Sequence, residues 1–313
     1  MNRDYIVDKK MSAEVAAAAD EVCASCGTTA VDDVKLKKCA CNLVKYCSVA
    51  CQKNHRPQHK KLCRKRVAEL RDNDLFTQPD ESHLGDCPIC CLPLPLDPNK
   101  TDTAPCCSKT ICNGCNYANA KREYEEGRDQ RCVFCREPVA KSQEEANKRR
   151  LKRRKNDCPV AIAKLGVERY IEGDYDGAFQ YLSKAAELGY AEAHHYLSRQ
   201  YYNGEGVEKD MKKQIFHLEE AAIGGHPGAR CALGVTDASS GRFERAVKHF
   251  IIAANLGYHD SLEVLRRLHA DGHATKEQYS AALRAYQAAV HETKSVEREE
   301  AEKAVKRGDV TTF

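Results

Sequence analysis

The sequence predicts a mainly α chain: two small cysteine-rich modules followed by an α-solenoid of helix-turn-helix repeats. Three observations carry this. Sixteen of the eighteen cysteines lie between Cys23 and Cys135, so the two halves of the 313-residue chain are different kinds of structure. The cysteine-rich blocks hold too few apolar residues to build a core of their own. From Cys158 the composition turns to Ala, Leu, Gly and Tyr, with Leu165, Leu197, Leu233 and Leu265 recurring at spacings of 32, 36 and 32 residues. A period in that range marks a helical solenoid.

The first block reads Cys23-x2-Cys26, Cys39-x-Cys41, Cys47-x3-Cys51 and His59-x3-Cys63. Four close pairs make two tetrahedral sites of the kind zinc takes with nitrogen and sulfur ligands. Metal then supplies the folding energy that apolar burial does not. A disulfide framework would need an oxidising compartment. The chain starts Met1-Asn-Arg-Asp with no apolar stretch of signal length, so zinc in an intracellular protein, cytoplasmic or nuclear, is expected. The spacing, with Tyr46 before Cys47 and Gln52 after Cys51, resembles the MYND-type zinc finger. The resemblance implies interleaved pairs: Cys23, Cys26, Cys47 and Cys51 on one zinc; Cys39, Cys41, His59 and Cys63 on the other. His55 rivals His59, because Cys51, His55, His59 and Cys63 are each four apart and share a helix face. The family places the ligand four residues before the last cysteine, which selects His59. Arg56 stands where many members carry tryptophan, and this weakens any carry-over of a peptide-binding surface.

The second block runs Cys87-Pro-Ile-Cys90, Cys106-Cys107, Cys112-Asn-Gly-Cys115 and Cys132-Val-Phe-Cys135. Pro93, Pro95 and Pro98 forbid a regular helix after its first knuckle. Asn116 to Gly127 reads as a short helix with Tyr117, Ala120 and Tyr124 on one side. Three knuckles and an adjacent pair again point to two zinc ions, four in the whole chain. The block resembles a RING finger. That resemblance puts Cys87, Cys90, Cys112 and Cys115 on one ion and Cys107, Cys132 and Cys135 on the other. Lys109 occupies the position of the usual histidine, and an ammonium has no lone pair to offer. Cys106 is the expected substitute, with Cys91 as a further candidate. In that family a ubiquitin-conjugating enzyme docks near the first and last knuckles, which nominates Ile89, and a basic residue after the last cysteine contacts ubiquitin, which nominates Arg136. Val133 stands where a proline is common.

Residues 141–157 form a charged linker. From Lys148 to Lys155, seven of eight residues are basic, and Glu144 and Glu145 lie four residues before Lys148 and Arg149. The run reads as a solvated helix or a nuclear import signal. A formal net charge of +4 is too small to favour nucleic acid. No run of eighteen apolar residues occurs, so no membrane partner is expected.

In the repeat half, Ala185-Ala186 before Gly189-Tyr190 recurs as Ala221-Ala222 before Gly225-His226 and as Ala253-Ala254 before Gly257-Tyr258. The longer unit carries its extra residues in the turn Gly204 to Asp210. Asp210 is placed to cap the following helix and Gly225 to stop it. The middle unit resembles the Sel-one-like repeat, and the outer units drift toward the shorter tetratricopeptide form. The resemblance implies a concave face that binds peptides or proteins. His194, His195, His217, His226 and His249 lack cysteine or acidic partners at ligand spacing and read as packing and surface residues. Lys276 to Val290 is one helical stripe that closes the stack, and Glu297 onward is expected to fray.

The expected order is a flexible tail (1–20), the MYND-type finger (21–63), a linker (64–83), the RING-like finger (84–140), the basic helical linker (141–157), the repeats (158–290) and a charged tail (291–313). The function this implies is an intracellular zinc-binding scaffold for protein–protein interaction. The alternative is a RING-type ubiquitin ligase whose repeats recruit substrate. A ligase of that kind has no catalytic residue of its own and acts by orienting a thioester held by another enzyme. A lysine methyltransferase, the activity of some proteins with MYND fingers, is excluded by the lack of a cofactor-binding glycine motif or a catalytic domain.

Overall fold

The computed structural model describes residues 22–30, 35–155 and 157–308. The alanine run Ala16 to Ala19, read as part of a tail, lies outside them. The chain divides into two compact units, one ending at Leu75 and the other beginning at Phe76.

In the first unit a two-residue hairpin pairs β1 (Lys37–Lys38) with β2 (Lys45–Tyr46), and a 28-residue helix α1 (Val49–Phe76) follows. The sequence reading ended the module at Cys63 and began a linker. The helix instead continues for three more turns. From Arg64 to Leu75 the chain has neither Gly nor Pro, and Glu69 pairs with Arg66 one turn back at 3.2 Å.

In the second unit, β3 (Thr101–Thr103) pairs antiparallel with β4 (Thr110–Cys112), and α2 (Asn113–Glu125) follows directly. The side of α2 that carries Tyr124 is not the buried one: Tyr124 is 86% exposed, whereas Asn119 and Glu123 are buried. Asn119 Nδ2 donates to the Arg131 carbonyl at 3.0 Å, and Arg128 Nε donates to Glu123 at 2.9 Å. The helix is therefore tied to the closing knuckle by polar pairs rather than by an apolar stripe.

Helix α3 (Gln143–Arg154) carries the basic run, capped by Ser142. Not all of this run is solvated. Arg149 pairs with Glu145 at 2.7 Å and also donates to the Pro138 carbonyl, and Arg150 pairs with Glu168 of the next helix. Both arginines are mostly covered, so α3 packs as a first layer on the repeats.

The solenoid consists of four helix hairpins: α4 (Pro159–Ile171) with α5 (Tyr175–Glu187), α6 (Ala191–Asn203) with α7 (Met211–Ile223), α8 (Pro227–Ser239) with α9 (Phe243–Asn255), and α10 (His259–Ala270) with α11 (Lys276–Glu292). A matched pair of positions sets the approach in two of the hairpins, the first and the third. Gly166 on α4 lies against Leu182 on α5, where an added Cβ would meet Leu182 Cγ at 2.8 Å. One repeat pair on, Gly234 on α8 lies against Phe250 on α9, where a Cβ would meet the ring at 2.8 Å. The equivalent positions in the middle unit are Ser198 and Leu218, both buried. The largest side chain thus faces a residue with no side chain, and close packing is kept.

The turn of the long unit has its own reason for glycine. Gly206 has φ +69°, and a Cβ there would meet the Tyr175 backbone at 2.7 Å. Gln200 Nε2 donates to that same Tyr175 carbonyl at 2.9 Å, which joins one repeat to the next. Asp210 accepts from the Lys212 and Lys213 amides, and Gly225 has φ +79° after the end of α7.

The solenoid also receives the segment before the second module. The His83 amide donates to the Gly225 carbonyl at 3.0 Å; the rings of His83 and His226 stack at 4.2 Å, and His195 lies tilted against His226 at 4.3 Å. After α11 the described residues show no fraying: Val296–Arg307 forms helix α12, capped by Ser295, which packs on α2 with Ala301 and Ala304 buried.

Candidate metal centres

Four of the cysteine-bearing turns share one backbone geometry, while Cys112 and Cys115 instead open helix α2. The amide four residues after the first position donates to that position's carbonyl, and the donor residue has positive φ. The pairs are Gly27 to Cys23, Cys91 to Cys87, Ser108 to Ala104 and Arg136 to Cys132, at 2.8–3.0 Å. The turn points the side chains of its first and fourth positions to one side, and glycine is the residue best suited to its fifth. This gives Cys91 a backbone role: it fills the left-handed fifth position (φ +55°), is exposed, and belongs to no cluster. It also accounts for the adjacent pair. Cys107 takes the fourth position of a turn whose first position is Ala104, and Cys106 precedes it.

We therefore expect Cys91→Gly to leave zinc content unchanged. Removing the side chain from a left-handed position should stabilise the second unit by up to about 1 kcal/mol. Mass-spectrometric metal counting with a thermal melt checks both, and loss of an ion would return Cys91 to the ligand set.

In the first unit α1 carries three of the eight donors, Cys51, His59 and Cys63, and Cys47 stands between β2 and α1. Cys23, Cys26, Cys47 and Cys51 converge, as do Cys39, Cys41, His59 and Cys63. Measured separations are 3.5 Å for Cys26 to Cys47, 3.6 Å for Cys47 to Cys51, 3.5 Å for Cys39 to Cys63 and 3.1 Å for Cys41 Sγ to His59 Nε2. His59 and Cys63 sit one turn apart on α1 and reach the same cluster. His55 does not enter it. Its Nδ1 lies 3.0 Å from the Tyr46 hydroxyl, and its ring stacks on His59 at 5.4 Å, which steadies the imidazole that does. Burial, with a smaller contribution from His55, holds His59 below the usual imidazole range, which keeps the neutral form that can donate a lone pair.

In the second unit, Cys87, Cys90, Cys112 and Cys115 form one group and Cys106, Cys107, Cys132 and Cys135 the other. Sulfur separations are 3.9 Å for Cys87 to Cys115, 3.8 Å for Cys90 to Cys112, 3.9 Å for Cys107 to Cys132 and 3.3 Å for Cys106 to Cys135. Lys109 stays out of the site, with its ammonium 5.5 Å from the centre of the Phe134 ring.

These distances test the metal reading. A disulfide needs sulfurs at about 2.05 Å. Four sulfurs around zinc at about 2.3 Å stand roughly 3.8 Å apart. The thiols are unbridged and spaced for the second case. Their acidities point the same way. The hydrogen bond from Cys112 brings the Cys87 thiol down to about 4, while that same partnership pushes Cys112 far above the ordinary thiol range. Packed this closely, one thiol ionises at the expense of its neighbour, and a cation is what lets all four do so. All four positions of every cluster are protein atoms, an arrangement that holds structure.

The residues nominated for ubiquitin transfer sit next to cluster cysteines without joining a cluster. Ile89 is at the surface of the first knuckle. Arg136 is engaged within the chain, 3.6 Å from the buried Glu123 carboxylate and 3.4 Å from Asn119 Oδ1. Sequence reasoning missed Asn119 and Glu123, which brace the last knuckle; nothing in their spacing distinguishes them from solvated polar residues.

Among the described residues, the solenoid histidines join none of these clusters. His194 and His217 face each other with their Nδ1 atoms 2.9 Å apart, and His195 and His226 make the ring contact already described.

Comparison with known proteins agrees with this division. The MYND finger family matches residues 23–63, and the Sel1 repeat family matches residues 159–190, 191–226 and 243–258. No curated protein matches the chain. Among solved structures it is similar to a Sel1 repeat protein from Oxalobacter formigenes, with 25% identity and a TM-score of 0.43 over 56% of this chain and 52% of that one. It is also similar to a protective antigen of uropathogenic Escherichia coli strains that displays an SLR fold, with 21% identity and a TM-score of 0.39 over 64% of this chain and 41% of that one. The chain thus spans about half the length, or less, of these two proteins. It carries a zinc-binding MYND finger and Sel1 repeats in one mainly helical molecule.

Proposed function

We propose that the chain is an intracellular scaffold, cytoplasmic or nuclear, in which four structural zinc ions hold two fingers and the repeats bind protein partners. The ligands are the sixteen clustered residues, four to an ion. The observation that carries this reading is that each cluster supplies four protein donors and so leaves no position for water or substrate. MYND fingers and Sel1 repeats both serve protein–protein contact, and α6, α7 and α8 expose Tyr202, Phe216 and Val235. Among the described residues no helix is long and apolar enough to cross a membrane.

The second reading, a RING-type ligase, is supported by Ile89, which is 39% exposed at the position where a conjugating enzyme would dock. Against it stands Arg136, whose guanidinium is held by Glu123. One assay separates the two. Zinc-loaded protein is incubated with ubiquitin, activating enzyme and a panel of conjugating enzymes, beside an Ile89→Ala/Arg136→Ala double variant. We expect no chains. Chains that vanish in the double variant would establish the ligase and make the repeats a substrate receptor.

A further inference from the structure

Arg298, in the first turn of α12, is 6% exposed and has no carboxylate within ion-pair reach among the described residues. Its guanidinium donates to the Pro93 carbonyl at 2.8 Å, the Thr293 carbonyl at 2.7 Å and the Leu92 carbonyl at 3.2 Å. It also donates to Cys90 Sγ at 3.4 Å. A buried cation without a countercharge is costly, and carbonyl dipoles compensate it only in part. The missing countercharge lies beside it. Cys90 belongs to the group of Cys87, Cys112 and Cys115. Four thiolates around one divalent ion leave a surplus of two negative charges.

We propose that Arg298 is an outer-sphere partner of this site, and that α12 is a zinc-dependent latch between the second finger and the end of the solenoid. The proposal rests on the reading that the site holds zinc. The fit around the arginine is close. Gly114, one residue before the ligand Cys115, has no room for a side chain: a Cβ there would meet the Arg298 amide nitrogen at 2.7 Å. Further along α12, Glu302 pairs with Lys100 at 2.7 Å. Only Thr293 to Ser295 separate α12 from α11, the last helix of the solenoid. Filling the site therefore draws α12 onto α2 and anchors the end of the repeat stack. Emptying it removes the centre that holds Cys90 and Cys115 in place beside Arg298 and Gly114, and releases the helix. Linkage makes the effect reciprocal: a docked α12 slows loss of the metal.

The test uses the full chain and its Arg298→Gln and Arg298→Lys variants. Hydrogen exchange across residues 296–307 is measured with zinc bound and after chelation, alongside metal content and the rate of zinc transfer to a colorimetric chelator. In wild-type protein, chelation should abolish protection of α12 while α5 to α9 remain protected. Arg298→Gln should keep its zinc at saturation but expose α12, and should weaken zinc retention at one site about 10- to 100-fold, the usual range for an outer-sphere partner. Arg298→Lys, which keeps the charge, should fall between the two. In cadmium-substituted protein one metal resonance should move in Arg298→Gln while the others hold, a signature that loss of packing alone would not give. Equal α12 protection with and without metal, in protein shown to bind zinc, overturns the latch and spares the site. Wild-type protein with no metal at Cys87, Cys90, Cys112 and Cys115 overturns both.

Discussion

Cys47→Ala will cost the first unit its fold. The buried cluster there consists of Cys23, Cys39, Cys41 and Tyr46, so three of its four members are ligands themselves. Little apolar surface remains to hold the hairpin against α1 once a ligand is lost. Structural zinc contributes on the order of 10–16 kcal/mol in small fingers, more than the stability of most domains. Metal counting should show at least one ion fewer than in wild type. Hydrogen exchange should show residues 22–63 unprotected, while the solenoid keeps its protection and melting temperature. His55→Phe is the control: it removes the hydrogen bond to Tyr46 but keeps a ring against His59, and it should retain every ion. Unchanged zinc content in Cys47→Ala would refute the grouping of Cys23, Cys26, Cys47 and Cys51.

Phe250→Ala is expected to have the second largest effect, and on the other unit. The ring is fully buried in a cluster with Val247, Leu265 and Ala282, against the bare backbone of Gly234. Truncation should cost about 3–5 kcal/mol. Because each hairpin is stabilised by its neighbours, the loss should spread through α8 to α11 rather than stay local. The pairing with Gly234 makes a sharper test. Gly234→Ala alone should destabilise, because its methyl meets the ring. Combined with Phe250→Leu, the same methyl should cost clearly less, since the smaller side chain leaves room. Chemical denaturation of the four proteins measures the coupling. Additive losses would show that the two positions do not set the helix approach.

How far the fold could be read in advance follows from the range of the interactions involved. Ligand spacing is local, and a repeat period is visible wherever a unit recurs, so the MYND finger, the cysteine clusters and the stacked helices are legible in the residues. The sequence already prefers Cys106 to Cys91, and the structure supplies a reason: Cys91 takes the positive-φ fifth position of its turn and stays out of the cluster. Tyr117, Ala120 and Tyr124 suggested one side of α2, but the buried residues are Asn119 and Glu123. Those two are held by Arg128, Arg136 and the Arg131 carbonyl, partners that only the closing knuckle brings near.

The termini of the modules show the same limit. Residues 64–83 read as a linker and 297 onward as a fraying end, because both are rich in charged and polar residues. Charge density describes the face a helix turns to water. It does not show that Ala301 and Ala304 face inward or that Arg298 finds Cys90. By itself the sequence determined the cysteine clustering, the helical repeat and the division into cysteine-rich and alanine-rich halves, since each is written in residue type and spacing. Only the tertiary structure decided that the second finger and the solenoid form one compact unit, because the contacts that join them link residues some 200 positions apart and leave no periodic trace along the chain.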